Sequence, residues 1–160
     1  MNITVRRFVE SDAALVSSLI TKTLRITNSK DYTPEYIENH CTLFTPEKVI
    51  QRAEWTHFYV FCEDEKIVAC GAIGPYWGKE DESSLFTIFV LPEYQGKGIG
   101  SKIVETLEKD EYALRPFIRE VAEDIAGRCV KCYEMRLFET ARQAAEGGFD
   151  SFTYSLFISP

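Results

Sequence analysis

Hydrophobic and polar residues alternate at the start of the chain, and the pattern then changes to helical spacing. Ile3 and Val5 fall on one side of an extended segment, which predicts a short strand. Ser11 follows, a residue type that caps helices. Behind it, apolar residues recur every three or four positions, as on one face of a helix. They are Leu15, Val16, Leu19, Ile20 and Leu24.

Two Thr-Pro-Glu triplets predict the starts of two further helices. Each triplet, at 33–35 and at 45–47, offers a hydroxyl for the cap, a proline for the first helical position and an acid for the first turn. The sequence therefore predicts short helices near 34–41 and 46–55.

The middle of the chain has the composition of β-strands. The segments 57–62 and 67–73 are rich in aromatic and β-branched residues, and four charged residues separate them. They predict an antiparallel hairpin. Glycine and proline at 74–78 predict a break, the acidic residues 80–82 a loop, and the apolar run 85–90 a fourth strand.

A glycine-rich turn separates that strand from an amphipathic helix. Gly96, Gly98 and Gly100 precede an apolar stripe at Ile103 and Leu107. Glycines allow the backbone to approach a ligand closely, and the first amides of a helix point outward with the positive end of the helix dipole behind them. This arrangement suits a phosphate or pyrophosphate, although the spacing alone is equally consistent with a tight turn and a helix cap.

The full string around the turn is more specific than its glycines. Residues 89–100, Phe-Val-Leu-Pro-Glu-Tyr-Gln-Gly-Lys-Gly-Ile-Gly, resemble the acyl-CoA signature Q/R-x-x-G-x-G/A of the GNAT (Gcn5-related) N-acetyltransferases. The resemblance extends over residues 1 to about 112. It implies an α/β (α+β) fold with a mixed, mostly antiparallel central sheet flanked by helices.

The same resemblance implies an acetyl-CoA-dependent enzyme. The acetyl group would pass to a primary amine of a small molecule or protein by direct attack in a ternary complex. Main-chain groups of Ile88, Phe89 and Val90 would bind the pantetheine, and the glycine turn would bind the pyrophosphate. The turn residues are Gln95, Gly96, Lys97, Gly98, Ile99, Gly100 and Ser101.

Candidate catalytic and acceptor-binding residues are few. Glu82, near the start of the fourth strand, is the best-placed carboxylate for a general base. For His40 and His57, structural roles are favoured over catalytic ones. Three aromatic residues could line an acceptor pocket or serve only in packing: Trp55, Tyr76 and Trp77.

The carboxyl-terminal third departs from the acetyltransferase pattern. Residues 127–137, Gly-Arg-Cys-Val-Lys-Cys-Tyr-Glu-Met-Arg-Leu, and 148–153, Gly-Phe-Asp-Ser-Phe-Thr, resemble an internal piece of the iron–sulfur epoxyqueuosine reductases. Cys129 and Cys132 have metal-ligand spacing but supply only two sulfurs, so we expect reduced thiols and no metal. We expect a single domain over 1–160 in which 116–160 is atypical.

Composition limits the partners of the chain. Its 160 residues include 18 Lys and Arg against 25 Asp and Glu, a net charge of −7, which argues against a broad nucleic-acid surface. No apolar stretch approaches the roughly 20 residues of a membrane span, and the five cysteines are an odd number, so we expect a cytoplasmic protein with free thiols. Only one closing strand, near 149–158, fits after the last glycines, which leads us to expect a homodimer.

Two other functions remain open at this stage. The chain could be a CoA-binding module that is inactive in transfer, or a fragment of an iron–sulfur epoxyqueuosine reductase.

Overall fold

The computed structural model describes residues 2–76 and 79–114, with the side chains of 76, 79–82 and 114 left out of the description. In chain order, its helices and strands are β1 (Ile3–Arg7), α1 (Ala13–Ile26), α2 (Pro34–Cys41), α3 (Pro46–Trp55), β2 (His57–Glu63), β3 (Lys66–Tyr76), β4 (Lys79–Val90) and α4 (Ile99–Leu107). Within this part of the chain the strands form one antiparallel sheet in the order β1-β2-β3-β4. This is the mixed α/β architecture that the sequence predicted.

Helices α2 and α3 have the predicted bounds, and their threonine caps explain them. Thr33 accepts a hydrogen bond from the amide of Tyr36 at 3.3 Å, and Thr45 accepts one from the amide of Lys48 at 3.4 Å. Proline follows each cap at the first helical position. Local side chains therefore fix where these two helices begin.

The predicted cap of α1 is wrong. Ser11 lies inside a short 3-10 turn, and α1 begins after Asp12. The Asp12 carboxylate accepts bonds from the Arg6 guanidinium at 2.6 and 2.8 Å and from the Val9 amide at 3.0 Å. The Arg6 bond lowers the pKa of Asp12. An ion pair to β1 thus fixes the entry to α1, and Leu15, expected in the core, is 60% exposed.

The predicted acidic loop at 80–82 is also wrong, and the predicted break does not begin at Gly74. Strand β3 continues to Tyr76, and β4 already begins at Lys79. Gly74 pairs with Ser84, and a Cβ on Gly74 would lie 3.1 Å from the carbonyl oxygen of Trp55. The glycine therefore allows the end of α3 to approach the sheet, and pairing across the hairpin outweighs the local preference for a turn.

The helices lie on both faces of the sheet. Gly71 and Gly74 are three residues apart on β3 and therefore face opposite sides. Gly71 faces α4, whereas Gly74 faces the end of α3, against which α1 packs. The core fills the space between these layers. No helix in the described part of the chain is long and apolar enough to cross a membrane.

Helix α4 approaches the sheet at Gly71. A Cβ built on Gly71 would lie 2.5 Å from Cγ2 of Ile103 and 3.4 Å from Cδ1 of Leu107, and both side chains are fully buried. Glycine at this position therefore sets the distance between α4 and β3.

We expect Gly71→Ala to destabilise the protein by about 1–3 kcal/mol, the usual cost of overpacking a core. Denaturant unfolding measures this cost. Because the clash is with Ile103, the same substitution in an Ile103→Ala background should cost much less. An equal cost in both backgrounds would contradict this packing account.

A buried carboxylate holds the segment after α4 against β2. Asp110 accepts hydrogen bonds from the hydroxyl of Tyr59 at 2.6 Å, from Nδ1 of His57 at 2.8 Å and from the amide of Tyr112 at 3.0 Å. The Arg7 guanidinium lies 3.6 Å away. Burial opposes ionisation of Asp110, but these hydrogen bonds outweigh it and lower its pKa. His57 thus has the structural partner expected from its position at the head of a strand.

We expect Asp110→Asn to lower the free energy of unfolding at pH 7 by about 1–3 kcal/mol. A carboxylate with a lowered folded-state pKa contributes stability that is complete above its unfolded pKa of about 3.9 and is lost as the pH falls through the folded value. The difference between the wild type and Asp110→Asn should therefore shrink between pH 6 and pH 3, to be followed by urea unfolding. The exposed helix variant Glu105→Gln is the control, and a pH-independent difference for Asp110→Asn would contradict the assignment.

Candidate functional site

The turn between β4 and α4 leaves the amino end of the helix open. Gly96 and Gly98 have positive φ values of 71° and 79°, and Gly98 is the residue that caps α4. A Cβ on either glycine would meet nothing within 4 Å. Glycine is therefore required here by the left-handed backbone, and the space outside the turn is open.

The start of α4 differs from those of α2 and α3. Those helices each have a threonine cap and an acid in the first turn, Glu35 and Glu47. Helix α4 has no side-chain cap and no acid in its first turn. Its first intrahelical bond runs from the amide of Lys102 to the carbonyl of Gly98 at 3.2 Å, which leaves the amides before Lys102 to water or a ligand. The arrangement suits an anion.

The side-chain amide of Gln95 makes hydrogen bonds within the protein. It donates to the Val90 carbonyl at 3.0 Å and to the Thr27 hydroxyl at 3.1 Å. The Thr23 hydroxyl donates to the same Val90 carbonyl at 3.3 Å. The Thr23 hydroxyl also approaches the Leu19 carbonyl, at 2.9 Å, so its one hydrogen is shared between two acceptors and the bond from Gln95 is the stronger contact of the Val90 carbonyl. Gln95 joins the turn to the end of β4.

Lys97 places a positive charge beside the turn. Its ammonium lies 4.9 Å from the centre of the Tyr94 ring, and the ammonium of Lys66 lies at the same distance. The Tyr94 hydroxyl donates to Glu63 at 2.7 Å, which holds the ring in place. Lys97 is exposed and stands beside the open amides of α4.

Strand β4 carries a bulge in its second half. Ala72 pairs with Phe86 and Cys70 with Phe89, so Thr87 and Ile88 together stand opposite the single residue Gly71. Thr87 has a positive φ of 55°. This conformation costs a β-branched residue about 1–2 kcal/mol and persists only where its surroundings enforce it.

Two buried groups hold the bulge. The Arg52 guanidinium donates to the Thr87 hydroxyl at 2.8 Å, and the Cys70 thiol donates to the Thr87 carbonyl at 3.4 Å. Burial lowers the pKa of Arg52 to about 10, so the side chain stays charged at neutral pH. Burial also raises the pKa of the Cys70 thiol. Neither Arg52 nor Thr87 is predicted as a functional residue from the sequence, because neither belongs to a motif and the bulge arises from pairing with β3.

The other predicted site residues lie at varied positions. Glu82 falls within β4, but its side chain is outside the described residues, as are the side chains of Tyr76 and Trp77. Trp55 packs edge-on against Phe86 with 5.1 Å between ring centres, and His40 stacks on Tyr36 at 5.0 Å. Burial, with a smaller effect from Arg52, lowers the pKa of His40. These contacts support packing roles for Trp55 and His40.

The carboxyl-terminal expectations cannot be compared with the fold. The cysteine pair 129 and 132, the closing strand at 149–158 and the atypical segment 116–160 lie outside the described residues.

The order of the strands, the bulged β4 and the glycine turn into α4 together define the class of the protein. The family model for the acetyltransferase (GNAT) family matches residues 23–137. The chain belongs to this family, as its glycine turn indicated, and its general class is that of an acyltransferase.

Two solved structures share the fold. The PaiA N-acetyltransferase of Thermoplasma acidophilum, crystallised with coenzyme A, is 22% identical with a TM-score of 0.60, over 68% of this chain and 71% of that one. A GNAT family acetyltransferase of Brucella melitensis, crystallised with acetyl-CoA, is 25% identical with a TM-score of 0.50, over 68% of each chain.

A second similarity accords with the resemblance of the carboxyl-terminal third. The epoxyqueuosine reductase QueH of Dehalococcoides mccartyi is 39% identical over 56 residues, which are 35% of this chain. The match spans about a third of the reductase, 31% of its length.

Proposed function

We propose that the chain is an acetyl-CoA-dependent N-acetyltransferase acting on a primary amine of a small molecule or protein. The observation that carries the proposal is the open amino end of α4, reached from a bulged β4 through two glycines in left-handed conformations. The relative from Brucella melitensis, with its bound acetyl-CoA, supports the same ligand.

The residues present fit this cosubstrate. The amides from Gly96 to Ser101 would bind the pyrophosphate, with the dipole of α4 behind them. Main-chain groups of Ile88, Phe89 and Val90 would bind the pantetheine as a neighbouring strand would. In the described sheet β4 is the last strand, and the proposal assigns its outer edge to this ligand. Lys97 would add a positive charge near the phosphates.

The proposed reaction requires stabilisation of the negative charge that develops on the thioester oxygen. It also requires removal of one proton from the attacking amine. Acetyl-CoA supplies a thioester carbonyl, which the amine attacks directly, and the CoA thiolate leaves. A main-chain amide near the bulge of β4 would stabilise the oxyanion. Glu82 would accept the proton of the attacking amine, directly or through a water molecule. The proposed reaction needs no covalent bond between the protein and the acetyl group.

Replacing Gly98 tests the cosubstrate site. We expect Gly98→Val to weaken acetyl-CoA binding by at least about tenfold, equivalent to 1.4 kcal/mol, because the side chain would project into the open space and disfavour the left-handed cap. Isothermal titration calorimetry measures the affinity, and circular dichroism checks the fold. Glu105→Val, on the exposed side of α4, is the matched control. Unchanged affinity in folded Gly98→Val would exclude this turn as the site.

Replacing Glu82 tests the proton transfer. We expect Glu82→Gln to lower kcat at neutral pH by about 100-fold, a typical contribution of a general base, while the affinity for acetyl-CoA stays unchanged. Release of the CoA thiol in the presence of a panel of primary amines measures the rate. Asp64→Asn, in the turn between β2 and β3, is the control. A wild-type rate in Glu82→Gln would exclude this residue as the base.

The same assays distinguish the alternative functions. Binding of acetyl-CoA without transfer to any amine would indicate a CoA-binding module. Stoichiometric iron lost on Cys129→Ser would indicate a reductase fragment.

A further inference from the structure

We propose that Arg52 is a positioning residue for the acyl-CoA strand: through the hydroxyl of Thr87 it fixes the bulge of β4 and so aligns the main chain of Ile88 to Val90. The inference rests on the proposed function, because it assigns to this main chain the binding of pantetheine.

Arg52 is itself held firmly. Its side chain is buried, with 8% of the residue exposed, and its guanidinium lies 4.8 Å from the centre of the Phe44 ring. Phe44 packs edge-on against Phe89 of β4. The Arg52 carbonyl accepts bonds from the amide and hydroxyl of Thr56, at 3.2 and 2.8 Å. The last turn of α3 therefore places the guanidinium at a defined point beneath β4.

Thr87 needs such an anchor. Its positive φ is unusual for a β-branched residue, and its side chain is fully buried, so its hydroxyl requires a partner inside the protein. Arg52 supplies that partner from α3, whereas Cys70 contacts the carbonyl from β3. A charged donor forms a stronger bond than a neutral one, and it defines where the hydroxyl lies.

The bulge transmits this position to the ligand-facing segment. Ile88 is the second residue of the bulge, and Phe89 and Val90 follow without interruption. If the hydroxyl lost its anchor, Thr87 could return to an extended conformation, and the main-chain groups beyond it would change direction. The glycine turn would be less affected, because Gln95 ties that turn to Thr27, just after α1, as well as to Val90.

The test separates the two ends of the cosubstrate. Thr87→Val removes the hydroxyl and keeps the shape, and Thr87→Ser keeps the hydroxyl. We expect Thr87→Val and Arg52→Met each to weaken acetyl-CoA binding by about tenfold, with Thr87→Ser near the wild type. Binding of 3′-phospho-ADP, which lacks pantetheine, should change less than about twofold. Because both substitutions remove the Arg52–Thr87 bond, the loss of acetyl-CoA affinity in the double variant should be smaller than the sum of the two single losses.

A stability control separates positioning from a general loss of structure. Tyr59→Phe removes one hydrogen bond from Asp110, on β2 and away from β4, and should lower Tm without changing either affinity. Unchanged acetyl-CoA affinity in folded Thr87→Val, or equal losses for acetyl-CoA and 3′-phospho-ADP, would overturn the positioning role. Should Arg52→Met not fold, the pair Thr87→Val and Thr87→Ser still decides. Failure of the wild type to bind acetyl-CoA would overturn the proposed function, and this inference with it.

Discussion

The close approach of α4 to β3 at Gly71 is the contact on which the candidate site depends. The missing side chain lets Ile103 and Leu107 pack directly on the strand, and the same glycine stands opposite the bulge of β4. Gly71 therefore sets the distance between α4 and the sheet, and it also lies opposite the bulge of β4. Lys102 adds a tether by donating to the Ile3 carbonyl of β1. The open end of α4 is thus placed relative to the whole sheet.

Local side-chain chemistry explains which parts of this arrangement could be predicted from the sequence. Thr33 and Thr45 carry their own capping bonds, so α2 and α3 have the expected bounds. The glycine turn is likewise defined by residues that lie next to one another in the sequence. The bulge at Thr87 and its bond to Arg52 depend on groups 35 positions apart in the sequence, and no short pattern encodes them. Ser11 is also not the cap of α1, because an ion pair between Arg6 of β1 and Asp12 fixes where this helix begins.

The two families that the sequence resembles differ in how much of the described fold they explain. The acetyltransferase family model extends from residue 23 to residue 137, a range that includes β2, β3, β4 and the glycine turn. The similarity to the reductase covers 56 residues and about a third of that protein. It explains none of the features described above for the sheet, the bulge or the turn.

The open end of α4 attracts anions with peptide dipoles more than with formal charges. The field of a dipole falls off faster with distance than that of an ion, whereas the chain as a whole carries a net charge of −7. A polyanionic ligand is therefore repelled at long range by the net charge, and it is attracted at short range by these amides and by the ammonium of Lys97. Added salt screens the long-range repulsion more strongly than the bonds to the amides, because repulsion acts beyond a Debye length of about 10 Å at 0.1 M salt. Binding of a polyanion at such a site therefore depends on short-range contacts. Moderate ionic strength favours it, because salt screens the repulsion and leaves these contacts largely intact.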